Sequence, residues 1–448
     1  MRAAYNSRMS TSRTQAPVPA IYAARRARLA ARIKHGVAII PTAPERARNR
    51  DSHYPYRYDS YLYYLTGFTE PEAVLVVIAG DTPRSVLFCR DKDIEREIWD
   101  GFRYGPAQAR EVFGFDECHS VGELDARVPE LLADQPQICC HLGSDEAWDA
   151  RVLGWLNKVR AQVRTGVAAP AAITDVHSHL DDMRVVKDAH ELAIMRKAAA
   201  ISIAAHKRAM RATVPGRTEY EIEAELLHEF RHGGAQAPAY TSIVAGGANA
   251  CVLHYVQNDA PLAAGDLLLI DAGCELDGYA SDITRTFPIS GKFTPAQREI
   301  YEMVLAAQAA ALGEVVPGAS WNAPHDAAVR VIAQGLIDAG LCTGSVDKVI
   351  ETGDFRKFYM HRTGHWLGLD VHDAGDYKRD GDWRKLEPGM VLTVEPGCYI
   401  RAGEGVPEHY ANIGIRIEDD VAVTPNGHEV LTLAAPKTVA DIETLMRG

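Results

Sequence analysis

Apolar runs and helix-period segments alternate along this chain, and the alternation changes character near its middle. Residues 74–80 (VLVVIAG) and 85–90 (SVLFCR) are short apolar runs on either side of Gly80-Asp81-Thr82-Pro83. That turn sequence predicts two strands of one sheet. Residues 123–132 and 146–160 predict helices, and the Ala/Pro stretch 167–173 predicts a connection. A long helix is predicted from Asp188 onward (DAHELAIMRKAAAISIAAHKRAM), with Asp188 as N-cap, Glu191 three residues on and Pro215-Gly216 as the stop.

Beyond that helix the chain repeats itself. Residues 262–273 (LAAGDLLLIDAG) align with residues 386–397 (LEPGMVLTVEPG), and Leu, Gly, Leu, an acid and Gly recur at matching places. Helix-period segments precede each copy, at 188–213 and 218–232 and again at 295–313 and 323–339. The pattern predicts an α+β fold: a C-terminal domain of two similar αβ halves around a pseudo-twofold axis, preceded by a smaller α/β domain. The expected division is a loose tail over 1–20, an N-terminal domain over 21–180 and a catalytic domain over 181–448.

Composition narrows the class. Apolar residues make up 47% and charged residues 24%, as in ordinary globular proteins. No apolar run approaches the ~18 residues of a membrane span. Net charge is −12, yet residues 1–50 hold eleven Arg/Lys against Glu45 alone, so the remainder carries about −22. That remainder repels a phosphate backbone and argues against a nucleic-acid partner. The Arg-rich start reads either as a mitochondrial presequence or as a loose tail leading into a surface helix. The eight cysteines form no C-x-x-C pair, which predicts a reduced, cytoplasmic protein without a thiolate zinc site.

The chemistry is carried by acids inside apolar strands. Residues 267–287 (LLLIDAGCELDGYASDITRTF) read as a buried hairpin holding Asp271 and Asp282. In the repeat, Asp271 aligns with Glu395. In residues 413–420 (IGIRIEDD), Ile413, Ile415 and Ile417 face one way and Gly414, Arg416 and Glu418 the other. Glu418 therefore faces inward with Arg416 beside it, while Asp419 and Asp420 read as turn residues. Four clustered carboxylates repel one another unless positive charge lies among them, and two divalent cations match them in charge. Residues 361–373 (HRTGHWLGLDVHD) add His361, His365 and His372, and His254 stands just before the first repeat. A carboxylate-rich set with one imidazole suits Mn, Co, Fe or Zn. Such a metal pair activates water for attack on a carbonyl, most naturally an amide.

A competing motif, His228-Glu229-Phe230-Arg231-His232, fits the H-E-x-x-H zinc pattern. Its extensions fail: Ala235 and Pro238 stand where Gly and His are needed, and no Glu occurs from 230 to 274. It is expected to be the charged end of a surface helix.

The order Asp271, Asp282, His365, Glu395, Glu418 resembles the pita-bread metallopeptidase family, which includes methionine aminopeptidase, prolidase and aminopeptidase P. The aminopeptidase P branch fits nearly the whole chain, through residues 54–77 (YPYRYDSYLYYLTGFTEPEAVLVV), 97–105 (EIWDGFRYG), 252–255, 270–288, 360–373, 393–400 and 414–420. The resemblance implies a pita-bread catalytic domain that releases the residue preceding proline from peptides (Xaa-Pro-Xaa), by attack of a hydroxide bridging two metals. It implies divalent ions, Mn2+ foremost, with Asp271 as a bidentate ligand, Asp282 and His365 completing the coordination, and Glu395 and Glu418 bridging or flanking the pair.

By the same resemblance Glu395 takes a proton from the water. His254 and His372 hold the scissile carbonyl and protonate the leaving nitrogen. His361 forms part of the proline wall, and Arg416 and Tyr399 support the ligands or substrate. Relatives place an amine-binding acid where Tyr61 stands, with Asp59 two residues away. Trp99 is either buried or reaches a neighbouring subunit, since a homo-oligomer, dimer or tetramer, is implied. The alternatives are a prolidase restricted to Xaa-Pro dipeptides and a non-catalytic binding protein, which the five intact ligands disfavour.

Overall fold

Continuous apolar runs need burial on both faces, and residues 36–41 and 74–79 obtain it as the central strands of a sheet. A computed structural model describes residues 19–447 of the chain. They divide into two compact units that part between Met183 and Arg184. Of the tail expected over 1–20, residues 1–18 lie outside the described residues, and Pro19 and Ala20 open the helix Pro19–Ile33.

In the N-terminal unit, six strands lie in the order Glu117–Ser120, Arg84–Cys89, Val74–Ala79, Gly36–Pro41, Gln137–Cys139, Ala172–Thr174. The predicted pair 74–79 and 84–89 is antiparallel, with Val76 opposite Val86. Helices Leu124–Leu132 and Glu146–Arg160 bury Leu124, Val128, Trp155 and Leu156 in this unit's core. The stretch read as a connection, 167–173, ends in the edge strand Ala172–Thr174, whose three residues are too short to show a strand period.

In the C-terminal unit the predicted helices form almost to the residue. Ala189–Ala212 opens with a reciprocal capping box between Asp188 and Glu191. Glu219–Gly233, Pro295–Gly313 and Ala323–Asp338 follow. Each half then contributes a small antiparallel sheet. Leu267–Asp271 lies between Ile243–Gly246 and Thr284–Pro288. Asp419–Thr424 lies between Val391–Val394 and Gly427–Val430. Gly397–Ile400 pairs separately with Ile413–Arg416. The repeat is visible in three dimensions: Asp271 ends one strand, and Glu395 directly follows its counterpart Val391–Val394. Among the described residues, no helix is long and apolar enough to cross a membrane.

The residues Asp419 and Asp420, read as turn residues, are instead buried at the start of a strand. Asp419 is balanced by Arg285 at 2.7 Å and Lys437 at 2.6 Å. Strand parity puts Arg285 on the face opposite Thr284, which is why the cation reaches Asp419 and not the acids near Thr284. Asp420 accepts the backbone N–H of Asp282 at 3.1 Å. Burial alone would raise the Asp419 carboxyl, but Arg285 and Lys437 hold it below the ordinary value. Its stabilisation is therefore complete above the unfolded carboxylate pKa of about 4 and is lost as pH falls through the lower folded value. Asp419→Asn is expected to cost about 3 kcal/mol at pH 7. The gap from the wild type should narrow in acid unfolding curves below about pH 4. An unchanged midpoint at pH 7 would contradict this.

Candidate metal centre and active site

Strand parity builds the floor of one cavity in the C-terminal unit. Asp282, Thr284 and Thr286 share a face, and Arg416 and Glu418 face them. Thr284 Oγ1 donates to Glu418 Oε2 at 2.6 Å, and Arg416 Nε donates to Thr284 Oγ1 at 3.1 Å. The predicted inward face of residues 413–418 thus holds. Gly273, two residues past Asp271, lets the chain return: a Cβ there would lie 1.7 Å from Ser281 O. This close approach brings Asp282 back beside Asp271.

Asp282, His365 and Glu418 each offer a ligand atom within 4.8 Å of the others. His365 Nε2 lies 3.4 Å from Asp282 Oδ2 and 3.7 Å from Glu395 Oε1. Asp271 joins through two contacts: Arg416 Nη2 donates to its Oδ2 at 2.6 Å, and the Tyr240 hydroxyl meets its Oδ1 at 2.6 Å. All five acid and imidazole positions line one cavity of about 980 Å³. His254, His361, His372 and Arg416 line it too. Tyr399 stands behind, between Arg416 Nη1 at 2.9 Å and His361 Nε2 at 2.8 Å.

The protonation pattern tests whether these side chains suit metal. His365 Nδ1 faces the carbonyl of Trp366 at 2.9 Å, so Nδ1 carries a proton and Nε2 is turned toward the acids. This is the arrangement of an imidazole ligand steadied by a backbone carbonyl. The Tyr240 hydroxyl also contacts Asp282 Oδ1, yet its single proton serves only one of the two carboxylates. Burial, then Asp282, Glu395 and Asp271, push the Glu418 carboxyl well above its ordinary value. Burial raises Glu395 to about 7 despite His365 and Arg416. Burial also raises Asp271, against the pull of Arg416. Burial opposes ionisation of Asp282 and His365 as well, but their mutual contact holds Asp282 low and lifts His365 to about 9. Crowding and burial thus oppose full ionisation of Asp271, Glu395 and Glu418, and a donor set of carboxylates with one imidazole has the chemistry of a site for hard or borderline divalent ions.

The other predicted positions are found as follows. His254 and His372 are exposed at the cavity wall. Burial, then His365, lowers the His372 pKa. Burial and Arg416 hold His361 down to about 3, so it is neutral. Asp59 caps the helix Ser60–Thr66, and the Tyr61 hydroxyl donates to Asp181 at 2.6 Å. Trp99 is 83% exposed, so simple burial is excluded for it. His228 and His232 stack on the outside of Glu219–Gly233, with Glu229 3.7 Å from Arg208, as expected of a surface helix end. Tyr240 and Thr284 were missed. Thr284 could have been found from its parity with Asp282, whereas Tyr240 sits in an irregular segment with no periodic signal.

Residues 193–425 match the family model for metallopeptidase family M24, and residues 22–139 match that of the aminopeptidase P N-terminal domain. The chain belongs to metallopeptidase family M24. It is 46% identical to the Xaa-Pro aminopeptidase of Escherichia coli, over 91% of this chain and 93% of that one. It is 44% identical to the Xaa-Pro aminopeptidase of Haemophilus influenzae, over 94% and 96%. The solved structure of Pseudomonas aeruginosa aminopeptidase PepP superposes with TM-score 0.95 at 50% identity, covering 96% of this chain and 98% of that one. A zinc-substituted E. coli aminopeptidase P in complex with product superposes with TM-score 0.94 at 44% identity, over 97% and 99%. The pita-bread fold expected of the C-terminal unit is that of these M24 relatives, and the chain is a metal-dependent hydrolase using divalent ions.

Proposed function

We propose that Asp271, Asp282, His365, Glu395 and Glu418 hold two divalent ions, Mn2+ foremost, and that the surrounding residues cleave Xaa-Pro bonds on that centre. The chain acts as an Xaa-Pro aminopeptidase, releasing the residue ahead of proline from the N-terminus of short peptides. The observation that supports the site reading is the set of four acids, Asp282 and Glu418 buried and Asp271 and Glu395 half-buried, gathered with the His365 imidazole in a single cavity. When bound, the ions supply an activated water and polarise the scissile carbonyl.

The residues of the chain then do the rest. Glu395 takes the water proton as the C–O bond forms. His254 and His372, on the cavity wall, orient the carbonyl and pass a proton to the departing imino nitrogen as the C–N bond breaks. Neutral His361 offers a face to the proline ring without adding charge. Arg416 and Tyr399 hold Asp271 and His361 in place. An Xaa-Pro bond lacks an N–H and has a fixed φ, so a shaped wall and a delivered proton replace the usual backbone hydrogen bond.

A homo-oligomer, dimer or tetramer, forms part of this reading. Helix Ile94–Asp100 exposes Ile94 (74%), Ile98 (77%) and Trp99 (83%) together, a face that a second copy would cover. Sedimentation should show Trp99→Asp shifted toward monomer; an unaltered wild-type oligomer contradicts this role for the patch.

Purified protein loaded with Mn2+ is expected to cleave Xaa-Pro-Xaa after the first residue, lose activity to chelator and regain it with Mn2+. Asp271→Asn should keep its circular dichroism spectrum and lose at least about hundredfold in kcat/KM. Cleavage of Xaa-Pro dipeptides alone would make it a prolidase, and normal turnover by Asp271→Asn would overturn the ligand set.

A further inference from the structure

The cavity has a second wall, aromatic and cationic, that the hydrolysis does not use. Trp321, Tyr377, Trp383, Arg362 and Lys378 line it. Lys378 and Trp383 are directly opposed in a short antiparallel hairpin, so their side chains share one face. The hairpin turns through Asp380 (φ 52°) and Gly381 (φ 90°), the positive pair of a type I′ turn. Its base is tied by Arg384 N–H to Tyr377 O and Trp321 N–H to Arg384 O, each at 2.9 Å. Tyr377 packs on Trp321 at 4.8 Å and lies parallel to the buried Trp366 at 5.8 Å.

This fixed indole carries two cations. The Arg362 guanidinium lies 5.0 Å from the Trp383 ring centre and Lys378 Nζ 4.4 Å from it. Arg362 Nη2 also donates to Asn322 Oδ1, which orients the guanidinium and leaves its other N–H groups available. Arg416, the cation of the floor, is spent on Asp271. Among the described residues, Arg362 and Lys378 have no ion-pair partner. The cavity is thus acidic at its floor and basic at its aromatic wall. His361 and Arg362 line the same cavity, the imidazole turned toward Tyr399 and the guanidinium toward Trp383.

We propose that Arg362 and Lys378, spaced by Trp383, bind the C-terminal carboxylate of short peptide substrates and so favour peptides that end soon after the proline. This rests on the reading of the cavity as a peptide site. A guanidinium and an ammonium held on one ring offer charge-assisted bonds to a carboxylate, and an uncharged amide end forfeits them.

Calorimetric binding of the dipeptide Pro-Xaa and of its C-terminal amide to the metal-loaded protein tests this without turnover. Wild type is expected to bind the acid roughly tenfold tighter than the amide. The Arg362→Ala/Lys378→Ala double variant should bind the two alike, and Arg362→Lys should retain part of the preference. The acid-to-amide ratio in kcat/KM for Xaa-Pro-Xaa should fall in parallel, through KM. Equal binding of acid and amide by wild type, no binding of either, or a preference that survives the double substitution overturns the subsite. Acid preference in a wild type that cleaves no tripeptide would instead sink the peptidase reading and leave the subsite standing.

Discussion

The crowding of four carboxylates into one cavity is the constraint on which this site depends. Asp271, Asp282, Glu395 and Glu418 come from both halves of the C-terminal unit and end in one cavity. The apolar strands that carry them are rigid and buried, so the acids have no room to separate. Internal cations answer only part of the charge. Arg416 is taken by Asp271, and Arg285 and Lys437 are directed to Asp419 on the far face of the same strands. The remaining negative charge is left for ions from outside the chain, and the family assignment agrees with that division.

The scaffold keeps these two electrostatic layers apart by strand parity. Successive side chains of the strand Thr284–Pro288 turn to opposite sides, so Thr284 touches Glu418 while Arg285 touches Asp419. A one-residue slip would exchange them and place a second buried arginine, beside Arg416, among the clustered acids. The capped helices behind each sheet fix that register through the apolar core.

Much of this was legible in the sequence. Asp188 and Glu191 announce their helix because a capping box is a local device that needs no tertiary partner. The Asp271–Glu395 correspondence follows from the internal repeat, and the inward parity of Arg416 and Glu418 from strand period. What escaped depends on distant chain segments. Asp419 and Asp420 look like a turn until Arg285, Lys437 and the Asp282 N–H are brought to them from elsewhere. Tyr240 joins Asp271 to Asp282 from an irregular segment whose direction only the folded chain sets. The hairpin at Asp380-Gly381 carried a turn signal, but two-residue strands are below the length at which alternation can be read.

The central claim is that divalent cations complete the charge balance of this floor. Metal content and thermal unfolding, measured on one preparation after chelation and again after reconstitution with Mn2+, test it most directly. The account predicts two ions retained per chain and a higher unfolding temperature in the reconstituted protein. A chain that retains no divalent metal, or whose unfolding temperature does not respond to it, would contradict the account.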